Sequence, residues 1–270
     1  MSTPRPGTEH DNDNDHDRME RGLRTLRRIE ATERPGILDG FQDVAPGFGE
    51  LVVGFAFGDI CSRPDLELPT RQLVTVAALT ALGNAAPQLE FHVRGARNVG
   101  CDRREIVETV LWLSGYTGFP ATLKALGVVR SVFAAEGAGT DAPSAERSER
   151  ALRTLRAPDG DGGVCEQVLA SVRALDPALA DDLVESAFGH LDPVTSRGGL
   201  DPLTRAIVSV AACTALGTLR PQLTAQVHAI LDAGGTPQHA VETILQMAVY
   251  AGVPAAVNGL NAARDVFRTR

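Results

Sequence analysis

The chain contains one stretch twice, and this limits its fold more than any other feature. Shifted along itself by 134 residues, segment 70–133 lies over segment 204–267 without a gap, and 27 of the 64 paired positions are identical. TRQLVTVAALTALGNAAPQL from Thr70 thus faces TRAIVSVAACTALGTLRPQL from Thr204. The lead-in RGLRTLRRIE at 21–30 also returns, as RALRTLRAPD at 150–159. A period this long, occurring only twice, marks a duplicated domain and not a solenoid. The expected layout is a disordered polar tail at 1–17, a first domain at 18–137, a linker at 138–149 and a second domain at 150–270. In the tail, His10 and His16 sit among acids and read as solvated residues more readily than as metal ligands.

Each copy reads as helix. Pro46 stands near a helix start, and the apolar residues after it keep helical spacing through Phe57. The core repeat opens with a helix at 69–82, ended by Gly83, a residue suited to a left-handed cap. Pro87 opens a second helix that closes at Gly100. Asp102 is placed to cap a third, with Glu105 three residues on as in a capping box. Gly118 and Pro120 break that helix and start a fourth. No stretch alternates with period two, so the expected fold is all-α, two homologous helical domains in tandem.

Composition narrows the function. The formal charge of −8 argues against a nucleic-acid partner, which calls for a basic face. The longest apolar runs, such as LVTVAALTALG, are too short to cross a bilayer, so no membrane partner is expected. Cys61, Cys101, Cys165 and Cys213 stand far apart with no C-x-x-C, the pattern of reduced thiols. The N-terminus lacks the apolar core of a signal peptide, and a cytoplasmic location is expected. Lys124 is the only lysine, so positive charge is carried almost wholly by arginine, whose planar fork suits carboxylates.

R-x-L/I-V-x-x-A-x-x-T-A-L-G, a histidine-bearing helix closing on glycine, V-E-T-x-L and Y-x-G-x-P-A follow one another in that order. They occupy 71–83, 92–100, 107–111 and 116–121, and again 205–217, 228–234, 241–245 and 250–255. In this order and spacing the chain resembles the carboxymuconolactone decarboxylase family, which also contains the AhpD-like alkylhydroperoxidases. The peroxidase branch resembles a C-x-x-C pair just ahead of the histidine, with a glutamate on the preceding helix. Here those places hold Ala85 and Gln88, Leu219 and Gln222, and for the glutamate Gln72 and Ala206. A thiolate nucleophile is therefore not expected. What the resemblance implies instead is decarboxylation of a small carboxylated lactone or related acid through an enolate, with no thiol, metal or organic cofactor. It also implies assembly into a homo-oligomer.

Such chemistry needs cations for the substrate's acidic groups, donors for an enolate oxygen and an acid to deliver a proton. His92 lies at the family's histidine position; histidine titrates near neutrality, which suits proton donor or oxyanion partner, although a packed core histidine fits the helix as well. In the second copy Gln226 takes its place, and His228 appears two residues on, turned by roughly 200° around the helix. Tyr116 and Tyr250, the only tyrosines, are candidate enolate donors or caps of buried carbonyls. Glu108 and its counterpart Glu242 are candidates to orient a histidine, act as base or pair with arginine. Arg63, Arg71, Arg197 and Arg205 are candidate carboxylate clamps or anchors of helix ends. Trp112, opposite Gln246, lines a pocket or fills the core. Two alternatives stay open beside the decarboxylase: an isomerase, dehydratase or cyclase of a biosynthetic pathway, and a non-catalytic binding protein.

Overall fold

A computed structural model describes residues 9–136 and 200–269, with side chains from His16 onward. Among the described residues every regular element is a helix, as the sequence pattern implies. The expected linker, the second copy's lead-in and Arg197 lie outside the described residues. The described residues fall into two compact units, one ending at Pro64 and the other beginning at Asp65.

The first unit holds α1 (Glu9–Glu30), a 3-10 turn (Gly36–Leu38), α2 (Phe48–Val52) and a π-helix (Val53–Cys61). Helix α1 starts at Glu9, within the segment expected to be tail. Once the apolar face from Met19 onward has nucleated a helix, extending it backward through polar residues adds little cost. Helix α2 begins two residues after Pro46, but the apolar run beyond it winds as π-helix. Leu26 and Ile29 of α1 and Val53 of the π-helix are fully buried. Two glycines allow the backbones to approach. A Cβ on Gly22 would collide with the Val53 carbonyl oxygen, and one on Gly58 with that of Arg18. The Arg18 guanidinium forms an ion pair with the Asp59 carboxylate across the same contact, Nε to Oδ2 at 2.7 Å.

The second unit carries the two core repeats. The first supplies α3 (Leu68–Leu82), α4 (Ala86–Asn98), α5 (Arg103–Trp112) and α6 (Ser114–Ala135). The second supplies α7 (Pro202–Leu216), α8 (Arg220–Asp232), α9 (Pro237–Tyr250) and α10 (Val253–Thr269). The capping box is present, Asp102 Oδ1 accepting from Glu105 N at 2.8 Å and Glu105 Oε2 from Asp102 N at 2.7 Å. Gly83 and Gly217 end α3 and α7 at φ 68° and 71°, where a Cβ is strained. Gly118 interrupts α6 at φ 75°, ψ 163°, so the break falls where the sequence placed it.

Helices α3 and α7 pack directly on each other and form the centre of one shared core. From Leu73 to Ala81 every residue of α3 is buried, a pattern that suits a helix enclosed on all sides. Its polar residues, Arg71, Gln72, Thr75 and Thr80, therefore have to find partners inside the protein. None of the described helices is long and apolar enough to cross a membrane.

Candidate functional site

Several of the buried polar groups find their partners in the other copy, while the Thr80 and Ser114 hydroxyls find none among the described residues. Arg71 on α3 is fully enclosed: Nε donates to Leu66 O at 3.0 Å, Nη1 to Gln246 Oε1 at 3.2 Å and Nη2 to Glu242 Oε2 at 2.8 Å. The reverse pairing joins Arg205 on α7 to Glu108 on α5, Nε to Oε1 at 2.9 Å. Leu200 N also donates to Glu108 Oε2, at 2.7 Å. Each copy's central arginine thus holds the other copy's glutamate. Burial pushes the Glu108 carboxyl up, and the Leu200 amide and Arg205 offset part of the effect.

Around these matched pairs the two sites differ. At the first, Gln246 Nε2 donates to the Arg71 carbonyl and to Thr75 Oγ1, both at 2.8 Å. The Thr75 hydroxyl lies 3.1 Å from the Tyr250 oxygen, and that oxygen lies 3.4 Å from His92 Nε2. On the far side of the ring, His92 Nδ1 is 2.9 Å from Gln72 Oε1. A carbonyl oxygen there calls for a proton on Nδ1, which leaves Nε2 as an acceptor for Tyr250. When the Thr75 proton points to Tyr250 and not to the Arg71 carbonyl 3.0 Å away, the chain runs in one direction, from the Gln246 amide through Thr75 and Tyr250 to His92 and Gln72. At its end one donor has no acceptor: the Gln72 amide nitrogen is buried and finds no partner among the described residues.

His92 is 5% exposed, and with no carboxylate bonded to it among the described residues, burial pushes its pKa down to about 3. It is uncharged at neutral pH, so an imidazolium proton donor is not on offer, and what remains is a neutral ring that orients Tyr250. The tyrosine ring stands edge-on to it, with centroids 5.6 Å apart at 85°.

At the second site Trp112 takes the place of Gln246. Its indole Nε1 donates to Ser209 Oγ at 2.8 Å, and the Arg205 guanidinium lies 5.5 Å from the ring centroid. Ser209 corresponds to Thr75, Tyr116 to Tyr250, Gln226 to His92 and Ala206 to Gln72. At these matched positions the second site has neither a histidine nor an amide at 206 to continue a chain beyond the tyrosine.

The structure therefore brings His92, Tyr250 and Arg71 together, and separately Glu108, Arg205 and Trp112. Tyr116, from the first copy, and Gln226, from the second, are half-buried at the second site's equivalent positions. His228 is half-buried on α8, and its counterpart Arg94 is an exposed residue bonded to Glu90 at 2.7 Å. Arg63 belongs to the N-terminal unit, where its backbone N–H closes a turn onto Ile60. Arg71, with every guanidinium nitrogen bonded to protein, offers no substrate clamp as it stands. The sequence does not single out Thr75; it marks Gln72 only as the place where the peroxidase branch has a glutamate, and Gln246 only as the residue opposite Trp112. The signal for them is the cluster of polar residues at 71, 72 and 75 in a mostly apolar helix.

The profile of the carboxymuconolactone decarboxylase family matches residues 46–131 and 177–265. The 4-carboxymuconolactone decarboxylase of Acinetobacter baylyi is 34% identical over 121 residues, covering 44% of this chain and 90% of that protein. A nitrosuccinic acid decarboxylase of Metarhizium robertsii is 35% identical over 82 residues, covering 30% of this chain and 56% of that protein. A crystal structure described as a gamma-carboxymuconolactone decarboxylase subunit candidate from Burkholderia xenovorans superposes with TM-score 0.59. It is 22% identical, covering 93% of this chain and 98% of the other, a likeness of fold alone. By the profile match to both repeats and the identity to the Acinetobacter enzyme, this chain belongs to the carboxymuconolactone decarboxylase family.

Proposed function

We propose that the protein is a carbon–carbon lyase that decarboxylates a small carboxylated lactone or related acid, using one site built around His92 and Tyr250. The observation that carries this reading is the unpartnered Gln72 amide N–H at the end of a buried, otherwise satisfied chain. An unmet donor of this kind costs about 1–3 kcal/mol, and a bound oxygen would recover it. The relatives supply the substrate class: two of them are named as decarboxylases, one for 4-carboxymuconolactone and one for nitrosuccinic acid.

In this reading the substrate carboxylate leaves as CO2, and its bonding electrons pass through the conjugated system to a carbonyl oxygen. The Gln72 N–H donates to that developing oxyanion. The Tyr250 hydroxyl then turns its single proton from His92 Nε2 to the carbanionic carbon and transfers it there. The remaining phenolate is held by the Thr75 hydroxyl and regains a proton from water. No thiolate takes part. Arg71 and Glu242 act from behind, fixing Gln246 and through it Thr75.

A second reading uses the same atoms for an isomerase that moves a proton without losing CO2. It is favoured by the enclosure of Arg71, which leaves no arginine of that pair to hold a substrate carboxylate. Incubation with 4-carboxymuconolactone, following CO2 release and ultraviolet absorbance, separates the two. CO2 release that drops at least ~100-fold in His92→Ala and in Gln72→Leu supports the lyase. Solvent-proton exchange into a substrate without CO2 release supports the isomerase, and no turnover of either kind contradicts the site.

A further inference from the structure

The second copy contains a cavity that the first copy has closed. It lies between α7, α8 and α10, shares no residue with the His92 chain, and has a volume of about 280 Å3. The same place between α3, α4 and α6 retains about 10 Å3. The matched lining explains the difference. Lys124 spans the closed version, its Nζ donating to Gly83 O at 2.6 Å, and Asn258 stands at the corresponding position. Gly259 replaces Ala125, and Val128, which lines the closed version, is replaced by Ala262, which does not reach the open one. All three changes remove volume from the second copy, and together they open a space at the lower end of ligand-pocket sizes, ~300–1,000 Å3.

A fourth change adds charge. Ala86 lines the closed version, and Arg220 takes its place at the mouth of the cavity. Arg220 Nη2 bonds Asp265 Oδ2 at 2.8 Å, but the side chains are 65% and 54% exposed, so water screens the pair. A guanidinium has five N–H donors, and one such bond leaves capacity for a ligand. Arg220 also opens the 13-residue helix α8, whose start carries no side-chain cap, so the helix dipole adds to the attraction for an anion. The Asn258 amide lines the same mouth, and Leu223 and Ala255 form apolar wall.

We infer that this cavity binds a small monocarboxylic acid with a compact apolar body, the carboxylate on Arg220 and Asn258 and the body between α7 and α10. It is a binding site distinct from the His92 chain and present in the second copy alone. The test is isothermal titration of the full chain with benzoate and with its neutral analogue benzyl alcohol, repeated in Arg220→Ala and Asn258→Lys. Both substitutions install the first copy's residue at an exposed position, and an unchanged melting temperature shows that the fold is kept. The expected result is one benzoate per chain, at least tenfold tighter than benzyl alcohol. Arg220→Ala should weaken benzoate at least tenfold, and Asn258→Lys should remove measurable binding. The inference is overturned if benzoate does not bind, if benzyl alcohol binds as well, or if either substitution leaves benzoate binding unchanged. Loss of benzoate binding in His92→Ala alone overturns it too, by placing the ligand at the other site.

Discussion

His92 illustrates how burial alters what a residue can do. On the surface an imidazole titrates near pH 6.5, whereas here desolvation takes it to about 3. Between those values the unfolded chain binds a proton that the folded protein refuses, so stability falls as pH is lowered from about 6.5 toward 3. At one pKa unit per ~1.4 kcal/mol, His92 should destabilise the fold by roughly 2–3 kcal/mol at pH 4.5 relative to neutral pH. Urea denaturation at the two pH values measures it, and His92→Gln, the second copy's residue, should remove that part of the acid sensitivity. The position of His92 in the family pattern was legible in the sequence. Its pKa was not, because the enclosing residues come from α3 and α9, and 158 positions separate His92 from Tyr250. The same distance hides the fate of Arg71. An arginine before an apolar helix reads equally as a substrate clamp or an anchor until its partners Glu242 and Gln246 are in place. Because both ends of the Arg71–Glu242 pair are fully buried, Arg71→Met should cost about 3–5 kcal/mol by removing the guanidinium that balances a buried carboxylate. Adding Glu242→Met to it should recover most of that loss in chemical denaturation.

Among the elements, local chemistry decided what could be read in advance. The capping box at Asp102 and Glu105, the left-handed glycine at the end of α3 and the break at Gly118 all rest on contacts within a few residues, and each was legible. The π-helix at Val53–Cys61 was not, since its apolar residues satisfy an α-helical spacing just as well. What distinguishes it is the close approach of α1, which requires Gly22 and Gly58. Gly58→Ala should therefore destabilise the N-terminal unit by about 1–3 kcal/mol through overpacking against Arg18. Hydrogen exchange should register faster opening of α1 and the π-helix while α3 and α7 keep their protection. Equal loss of protection in both units would show that they unfold together.

In the molecule as a whole, the duplication predicted the fold and concealed the site. Two copies of one helical unit, with His92 in one and Gln226 at the same place in the other, left open which copy carries the centre. The central helices α3 and α7 pack together, and each cluster takes residues from both copies. Divergence then acted on the clusters separately. One has Gln246, His92 and Gln72 and forms a continuous chain through Tyr250. The other has Trp112, Gln226 and Ala206, and its indole bonds Ser209. These substitutions were visible by alignment of the copies, but their grouping was not, because Trp112 belongs to the cluster of the opposite copy. The central claim is that the protein works through a single composite centre, with its histidine from the first copy and its tyrosine from the second. The most direct measurement is turnover of 4-carboxymuconolactone by Tyr250→Phe beside Tyr116→Phe, which remove the same atom from equivalent places. A loss of at least ~100-fold in kcat for Tyr250→Phe, with Tyr116→Phe within about twofold of the parent, is the predicted result. Equal losses in the two variants, or a loss confined to Tyr116→Phe, would contradict it.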